Sequence, residues 1–298
     1  MLAFVLSVFL ISSWTLNSGQ AWPWLTQIRA PQTHAFSTGN DVTVAVIDTG
    51  VDLTHPHFVS TTLTVYNAQD GSLDVNDGCG HGTAVAGVVV DVAPDVDLLV
   101  IKASDNDCHG STRDIADAVD YAVGQGVRVI VITLAIGLRT TSLETSIAAA
   151  SAADVLVIAS LGNQASDRPL YPAAYPDVLG VGGVNGSDQL WVRSNYGVTV
   201  DVVAPADAIC APRAGGDYTC RSGTSLAAPQ VAGLAALLLQ RFPDMTASAL
   251  RDRIQESARD LGDPGPDLTY GYGRIDVFSA VTWNMSSLYL PNVERQAA

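Results

Sequence analysis

Several short stretches of the chain are apolar at every position, without the alternation of a half-exposed strand. The first is VTVAVI at 42–47, which is rich in Val and Ile. A strand with this pattern is covered on both faces, as in a parallel sheet. Similar runs stand at 97–101, 127–134, 155–160, 178–184 and 198–203. Each of these runs predicts a strand buried inside the protein.

Helical patterns separate several of the apolar runs. They occur at 112–124, at 143–153, at 225–241, which is nearly all apolar, and at 246–258, which is amphipathic. Strands that alternate with helices predict βαβ units and right-handed crossovers. We therefore predict an α/β fold with three layers, in which helices cover both faces of a mostly parallel sheet. No linker interrupts the pattern, so we predict one domain over residues 22–283.

The two ends of the chain differ from this pattern. Residues 2–11 (LAFVLSVFLI) match the apolar core of a signal peptide, and Gly19 and Ala21 fit its cleavage site. The run is too short to span a bilayer, which takes about 20 residues, and no later segment reaches 18 uninterrupted apolar residues. We predict a signal peptide at 1–21, a tail at 284–298, and a secreted or extracytoplasmic mature chain without membrane association.

The net charge of the chain limits the kinds of molecule that it can bind. The chain has 15 basic and 30 acidic residues, a net charge of −15, and Lys102 is its one lysine. A polyanion would be repelled, so nucleic-acid binding is excluded. Hydrophobic residues make up 48% and charged residues 15% of the chain, which excludes a disordered protein. The surplus acid favours the solubility of an exported protein.

Four cysteines are present, and four allow three pairings. Cys210 and Cys220 flank a Gly-Gly turn between two short runs, which favours a hairpin closed by these two residues and leaves Cys79 to pair with Cys108. Export makes disulfides plausible. The alternative is four reduced cysteines in the core. No CxxC motif occurs, so the sequence gives no sign of a zinc site.

The first strand ends in Asp48-Thr49-Gly50, which alone has two functional interpretations. In an aspartic protease, such a loop is paired with a second one in an all-β fold. No second DTG or DSG follows, and the pattern here is α/β. The remaining interpretations are a turn-capping Asp and a carboxylate that acts together with other groups.

Three further side chains lie at element ends where chemistry gathers in a parallel sheet. His81 stands between two glycines at the start of an Ala/Val-rich helix. Ser225 stands at the mouth of the helix 225–241, where the dipole and free N–H groups would stabilise an oxyanion. Asn163 follows the strand 155–160 and can donate to the same oxyanion. Pro229 is expected in the first turn of the Ser225 helix, where a missing N–H costs least.

The remaining histidines have a structural interpretation, because a lone His is more often a structural hydrogen-bonding group than a catalyst. They are His34, His55, His57 and His109.

The order Asp, His, Asn, Ser resembles that of the subtilisin-like serine peptidases, the subtilases. The resemblance runs from about Trp24 to Ala280. It rests on VAVIDTGVD (44–52), HP (55–56), GHGTAVAG (80–87), VAPD (92–95), YPAAYPDVLGVGGV (171–184), APA (204–206), SGTSLAAPQVAG (222–233) and GYGRID (271–276). Within the family, the chain is most similar to the mycosin branch. The similarity rests on the HGTAVAG pattern, the paired cysteines and the lack of a propeptide. Mycosins, however, usually end in a membrane anchor.

The resemblance implies a triad of Asp48, His81 and Ser225, with Asn163 in the oxyanion hole. It thus implies a serine endopeptidase that acts on protein or peptide substrates through an acyl-enzyme. Two alternatives stay open. One is a catalytically silent binding or assembly module, and the other is an esterase or amidase that uses the same triad.

The chain also departs from the family pattern. The insertion that often carries calcium ligands in the family is missing between Asp91 and Val92, so we expect no cofactor and no strong calcium site in that loop. A weak calcium site elsewhere stays open. A further departure is Ala84, where most subtilases have a histidine three residues after the catalytic one.

The substrate cleft departs from the family as well. The substrate-binding residues implied by the resemblance are Thr133, Leu134, Ala135, Gly162 and Leu170. Extra side chains at Ala135 and Leu170 predict a shallow pocket and a preference for small P1 residues. Substrate backbone is expected to add as a strand along 105–110 and 133–136.

No room exists for a folding propeptide between Ala21 and the strand at 42. Three explanations stay open: unaided folding, a gene model that starts late, or a separate propeptide-like chaperone chain. We expect a monomer.

Overall fold

Seven parallel strands form the central sheet of the protein, for which a computed structural model describes residues 22–283. Their order is β2-β3-β1-β4-β5-β6-β7. The strands are β1 (Thr43–Asp48), β2 (Leu63–Asn67), β3 (Asp97–Lys102), β4 (Val129–Ile132), β5 (Leu156–Ser160), β6 (Val178–Val184) and β7 (Val202–Pro205), and a separate antiparallel hairpin comprises β8 (Ile209–Arg213) and β9 (Asp217–Arg221).

Helices cover both faces of the sheet. They are α1 (Pro23–Gln27), α2 (Gly82–Val92), α3 (Thr112–Gly124), α4 (Thr141–Ala152), α5 (Thr224–Arg241), α6 (Ala247–Glu256) and α7 (Val277–Thr282). Helices α2 and α5 pack together in one apolar core, and α3 and α4 pack in a second core across the sheet. The predicted three-layer α/β fold is confirmed.

Strand β1 is the third of the seven strands and lies between β3 and β4. Val44 and Val46 point into the core of α2 and α5, whereas Ala45 and Ile47 point into the core of α3 and α4. Burial on both faces explains why this strand has no polar alternation. Chain order reverses at β1, and ligand sites of open parallel sheets lie at the carboxyl end of such a strand.

One predicted strand differs from the structure, and one observed strand was not predicted. The strand predicted at 198–203 forms with shifted bounds: β7 begins only at Val202, which pairs with Val181, whereas Val198 is 81% exposed. Strand β2 was not predicted from the sequence. It forms an edge of the sheet and is only partly buried, so it lacks a continuous apolar run.

Helix α5 begins one residue before Ser225 and is buried over most of its length. Pro229 is therefore its sixth residue, inside the helix, and its expected place in the first turn is wrong. Proline has no N–H, so the carbonyl of Ser225 lacks its helical partner four residues on.

Within residues 22–283, none of the helices combines the length and apolar character needed to cross a bilayer. The proposed signal peptide (1–21) and tail (284–298) lie outside the described residues. The domain bounds of 22–283 stay a prediction.

Candidate active site

Asp48, His81 and Ser225 form one hydrogen-bonded chain at the carboxyl edge of the sheet. Asp48 is the last residue of β1, His81 is the N-cap residue of α2, and Ser225 is the second residue of α5. His81 Nδ1 lies 2.7 Å from Asp48 Oδ1, and His81 Nε2 lies 2.9 Å from Ser225 Oγ. Three residues far apart in sequence thus meet in the order that nucleophile activation requires.

The close approach of α2 to β1 depends on Gly82. A Cβ on this residue would overlap the backbone of Gly50 and would lie 3.2 Å from Asp48 Oδ1. The glycine after His81 therefore lets the helix start directly against the carboxylate.

Asp48 is fully buried and stays ionised. Burial raises the pKa of its carboxyl group, but the charge of His81 and hydrogen bonds from His81, Thr133 and Thr49 outweigh this effect, so the pKa is lowered. The Thr49 N–H donates to Oδ1 at 2.7 Å, and the Thr133 hydroxyl donates to Oδ2. An ionised carboxylate only accepts, so His81 Nδ1 carries the hydrogen and Nε2 is free to accept from Ser225.

The pKa of His81 is raised above its ordinary value. Burial favours the neutral ring, but the charge of Asp48 and the hydrogen bond to it favour the imidazolium more strongly. The charge of Asp77 adds to this effect, and that of Arg221 opposes it. The His81 side chain is 28% exposed, so a substrate can reach it.

Asn163 lies beside Ser225 with its side-chain oxygen fixed. Both the N–H and the hydroxyl of Thr224 donate to Asn163 Oδ1, each at 2.9 Å. Ser225 Oγ and Asn163 Nδ2 both lie next to Gly223. A Cβ on Gly223 would be 3.2 Å from Ser225 Oγ and 3.5 Å from Asn163 Nδ2. The Asn163 amide N–H groups are thereby free to donate to a group held against Ser225.

A cavity of about 360 Å³ adjoins His81. It is lined by Thr49, His81, Cys108, His109, Gly110, Ile115, Thr133, Leu134, Ala135 and Ile136. Three predicted substrate-binding residues (133–135) thus lie in one cleft. The Thr133 hydroxyl, however, is bonded to Asp48, a contact that the sequence did not indicate.

Gly162 and Leu170, the other two predicted substrate-binding residues, contact each other. A Cβ on Gly162 would overlap Leu170 Cδ1, so the leucine side chain covers this glycine.

Residues 105–110, where we predicted an edge for the substrate backbone, form a turn. Within it, the Cys108 N–H donates to the Asp105 carbonyl at 3.2 Å and the Asp105 N–H donates to the His109 carbonyl at 2.8 Å. Ser104 and Gly110 form a single bridge across it. The carbonyl and N–H groups of the turn are thus partly used within it and do not form a continuous free edge. The addition of substrate along 105–110 and 133–136 stays a prediction.

Both predicted disulfides form. Cys79–Cys108 ties the segment before His81 to the turn at 105–110, and Cys210–Cys220 joins directly opposed residues of β8 and β9. Each bond therefore stabilises a segment next to the triad.

The other histidines lie outside the triad. His34, His55 and His57 contact the backbone carbonyls of Val92, Asp217 and Gly87, whereas His109 is exposed. Burial lowers the pKa of His57 to about 4. The contacts of His34, His55 and His57 agree with the structural interpretation, whereas His109 lines the cleft at His81.

Sequence reasoning missed three polar residues around the triad, namely Asp77, Lys102 and Thr224. Asp77 is buried and bonds to residues on both sides of His81. Lys102 Nζ donates to the Thr49 and Asn76 carbonyls at 2.6 and 3.0 Å. The one signal in the sequence was a single lysine at the end of a buried run, because a charge there needs partners.

Helix α2 ends at Val92 and β3 begins at Asp97, so the connection between them is short. Among residues 22–283, no group of three or more His, Cys, Asp or Glu side chains is placed to hold a metal ion. The expectation of no calcium requirement stays a prediction, which thermal unfolding with and without EDTA would test.

Comparison with known proteins places the chain in a family. The model of the subtilase family matches residues 39–273. The chain is 38% identical over 257 residues to the thermophilic serine proteinase of Bacillus sp. (strain AK1), covering 83% of this chain and 63% of that protein. It is 35% identical over 278 residues to subtilisin NAT of Bacillus subtilis subsp. natto, covering 86% and 70%.

Solved structures agree with this assignment. The crystal structure of a lanthipeptide protease superposes with a TM-score of 0.82 and 28% identity, over 88% of this chain and 95% of that one. The mycosin-like assignment stays a prediction. The chain belongs to the subtilase family of serine-type endopeptidases.

Proposed function

We propose that this protein is a secreted serine endopeptidase in which Asp48, His81 and Ser225 cleave peptide bonds through an acyl-enzyme. One observation carries the proposal: the unbroken hydrogen-bonded chain from a buried carboxylate through His81 to Ser225 Oγ. The nucleophile lies at the N-terminus of α5, where the helix dipole favours negative charge.

The chemistry follows from the geometry. Ser225 Oγ attacks the peptide carbonyl carbon while His81 Nε2 takes its proton. The imidazolium that forms is stabilised by ionised Asp48, and His81 then gives the proton to the leaving amine. Water enters, loses a proton to His81 and attacks the acyl-enzyme carbonyl. The ester bond then breaks, the acid product leaves, and His81 returns the proton to Ser225 Oγ.

Two donors serve the oxyanion. The Ser225 N–H stands at the second position of α5, where the helix itself supplies no carbonyl. The Asn163 amide is the second donor, and Thr224 holds its oxygen turned away. Preorganised donors of this kind stabilise the tetrahedral intermediate without reorganisation during the reaction.

Replacing Asn163 by alanine should lower kcat by about 10²–10³-fold, the magnitude known from subtilisin, and should change KM little. The loss arises because the oxyanion keeps only the backbone donor. Steady-state hydrolysis of a peptide p-nitroanilide measures the effect. Asn40→Ala, the same change at an exposed position whose side chain bonds to Asp41, is the control. A variant with the kcat of the wild type would remove Asn163 from the oxyanion hole.

We also propose a preference for small P1 residues such as alanine. Leu170 covers Gly162, and the exposed Ala135 adds a methyl group to the opposite segment. The Leu170→Gly variant should raise kcat/KM for Phe or Leu at P1 relative to Ala by about tenfold or more, because it removes four carbon atoms from the pocket.

Profiling with a peptide library that varies P1 tests this preference. Leu138→Gly, at an exposed loop position 66% accessible, is the matched control and should leave the profile unchanged. A wild-type profile dominated by Phe or Leu would contradict the proposal.

The direct test of function compares hydrolysis of a peptide amide with that of a simple p-nitrophenyl ester by the full chain. Cleavage of both, with extended peptides preferred, supports the endopeptidase. Cleavage of the ester alone would favour an esterase. A folded protein that cleaves neither would favour a binding module.

Export, a monomeric state and a role for a separate propeptide-like chaperone belong to the same proposal. Two disulfides in the described residues support an oxidising compartment. Detection of the mature chain in the medium of an expressing culture tests export, and gel filtration tests the monomer. Refolding yield with and without an added subtilase propeptide tests the need for a chaperone.

A further inference from the structure

Asp77 is a buried carboxylate next to the triad that the proposed mechanism does not use. It is 4% exposed and lies four residues before His81. Its Oδ1 accepts from the Thr49 hydroxyl at 2.6 Å and from the Gly80 N–H at 2.8 Å. Its Oδ2 accepts from the N–H and the hydroxyl of Thr83, at 2.8 and 2.6 Å. Four donors therefore fix one carboxylate, which is the usual condition for burying a charge.

These bonds join the two segments that carry Asp48 and His81. Thr49 directly follows Asp48 and donates its N–H to Asp48 Oδ1. The Thr49 hydroxyl, besides donating to Asp77, accepts from the Gly82 N–H at 2.8 Å. The network thus contacts both chain neighbours of His81 and the residue after Asp48, so a shift of one segment is transmitted to the other.

The charge of Asp77 also acts on the imidazole. The charges of three side chains act on the pKa of His81. They are Asp48 from β1, Asp77 from the segment before α2, and Arg221 from β9. The negative charge of Asp77 raises the pKa of His81 and that of Arg221 lowers it. Lys102 faces Asp77 from β3 and balances part of its charge.

We propose that Asp77 is a positioning residue for catalysis, which holds His81 against Asp48 and stabilises the His81 imidazolium by its charge. The proposal rests on the proposed function, since it assigns Asp77 a role in the same reaction. Asp77 does not line the cleft at His81, so it acts on the reacting atoms only through its neighbours.

Asp77→Asn tests both parts of the proposal. It should lower kcat by about 10- to 100-fold, the scale of a small misplacement of a catalytic group, with little change in KM. It should also move the acid limb of kcat/KM to lower pH, because His81 loses a charge that favours its protonated form. Asp120→Asn, the same change at an exposed position of α3, should leave both unchanged.

Thr49→Val separates geometry from charge. It removes the bonds of the Thr49 hydroxyl to Asp77 and Gly82 but keeps the Asp77 charge. We expect a lower kcat with the acid limb unmoved, and Thr49→Ser should restore kcat. A Thr49→Val variant with the kcat of the wild type would overturn the positioning role. This result decides the question even if the Asp77→Asn variant does not fold. A folded Asp77→Asn with an unmoved acid limb would overturn the role of the charge.

Ser225→Ala, assayed in parallel, separates this inference from the proposed function. Full activity in Ser225→Ala would refute the proposed function itself. An inactive Ser225→Ala beside an unaffected Asp77→Asn would refute only the role of Asp77.

Discussion

Replacing Ser225 by alanine is expected to lower kcat by about 10⁶-fold, the magnitude known for the triad serine of subtilisin. The variant loses the hydroxyl that donates to His81 Nε2 at 2.9 Å. Without that nucleophile no acyl-enzyme forms, whatever the oxyanion donors contribute. Peptide p-nitroanilide hydrolysis gives the rate, and labelling with a fluorophosphonate probe reports the activated hydroxyl directly.

Ser222→Ala is the matched control for this prediction. Ser222 lies three residues earlier, is exposed, and donates its hydroxyl to Asp207 Oδ1 at 2.8 Å, outside the triad. We expect the Ser222→Ala variant to be labelled like the wild type and the Ser225→Ala variant not at all. Labelling of a folded Ser225→Ala variant would show that another residue is the nucleophile.

Replacing Asp48 by asparagine is expected to lower kcat by about 10⁴-fold, the magnitude known for the equivalent change in a chymotrypsin-like enzyme. Asp48 accepts from Thr49 and His81 on one oxygen and from Thr133 on the other. An asparagine keeps one acceptor oxygen and turns an NH₂ group toward one of these donors. If the NH₂ faces His81, the ring takes the tautomer in which Nε2 carries the hydrogen and no longer accepts from Ser225.

The pH dependence of this variant gives an independent readout. His81 must be neutral to act as a base, and its pKa is raised in the wild type, so kcat/KM should rise with pH through a value above the ordinary 6.5. Removing the charge of Asp48 removes a cause of this rise, so the acid limb should move to lower pH.

Measurement of kcat/KM from about pH 5 to pH 10 tests this shift. Asp97→Asn, at the opposite end of the neighbouring strand, is the charge-matched control. An acid limb that stays in place in Asp48→Asn would contradict the assignment of Asp48 as the partner of His81.

Much of the fold could be predicted because burial on both faces leaves a continuous apolar run. Helix α3 was predicted with its observed bounds, since its apolar face repeats at helical spacing. The pairing of Cys210 with Cys220 followed from a Gly-Gly turn, which is a local feature. Edge strand β2 was missed because partial burial leaves a mixed pattern.

In the candidate site, the catalytic side chains were predicted from the sequence, but the loop conformation beside them was not. Asp48, His81, Asn163 and Ser225 stand at element ends, and their residue types indicate their chemistry. The turn at 105–110 was missed because its hydrogen bonds depend on Asp105 and Cys108 adopting one particular loop conformation. Cys108 has a φ of 65°, a region that a sequence pattern does not signal for a cysteine.

The sequence by itself indicated most of the buried strands, the longer helices and the four candidate catalytic side chains, and it favoured the two disulfide pairings. Only the tertiary structure decided that Thr133 donates to Asp48, that Asp77 bridges the segments of Asp48 and His81, and that Leu170 covers Gly162. The physical reason is the distance along the chain over which each interaction acts. Secondary structure and turns follow from neighbouring residues, whereas these contacts join residues that meet only when the order and register of the parallel strands bring their carboxyl ends together.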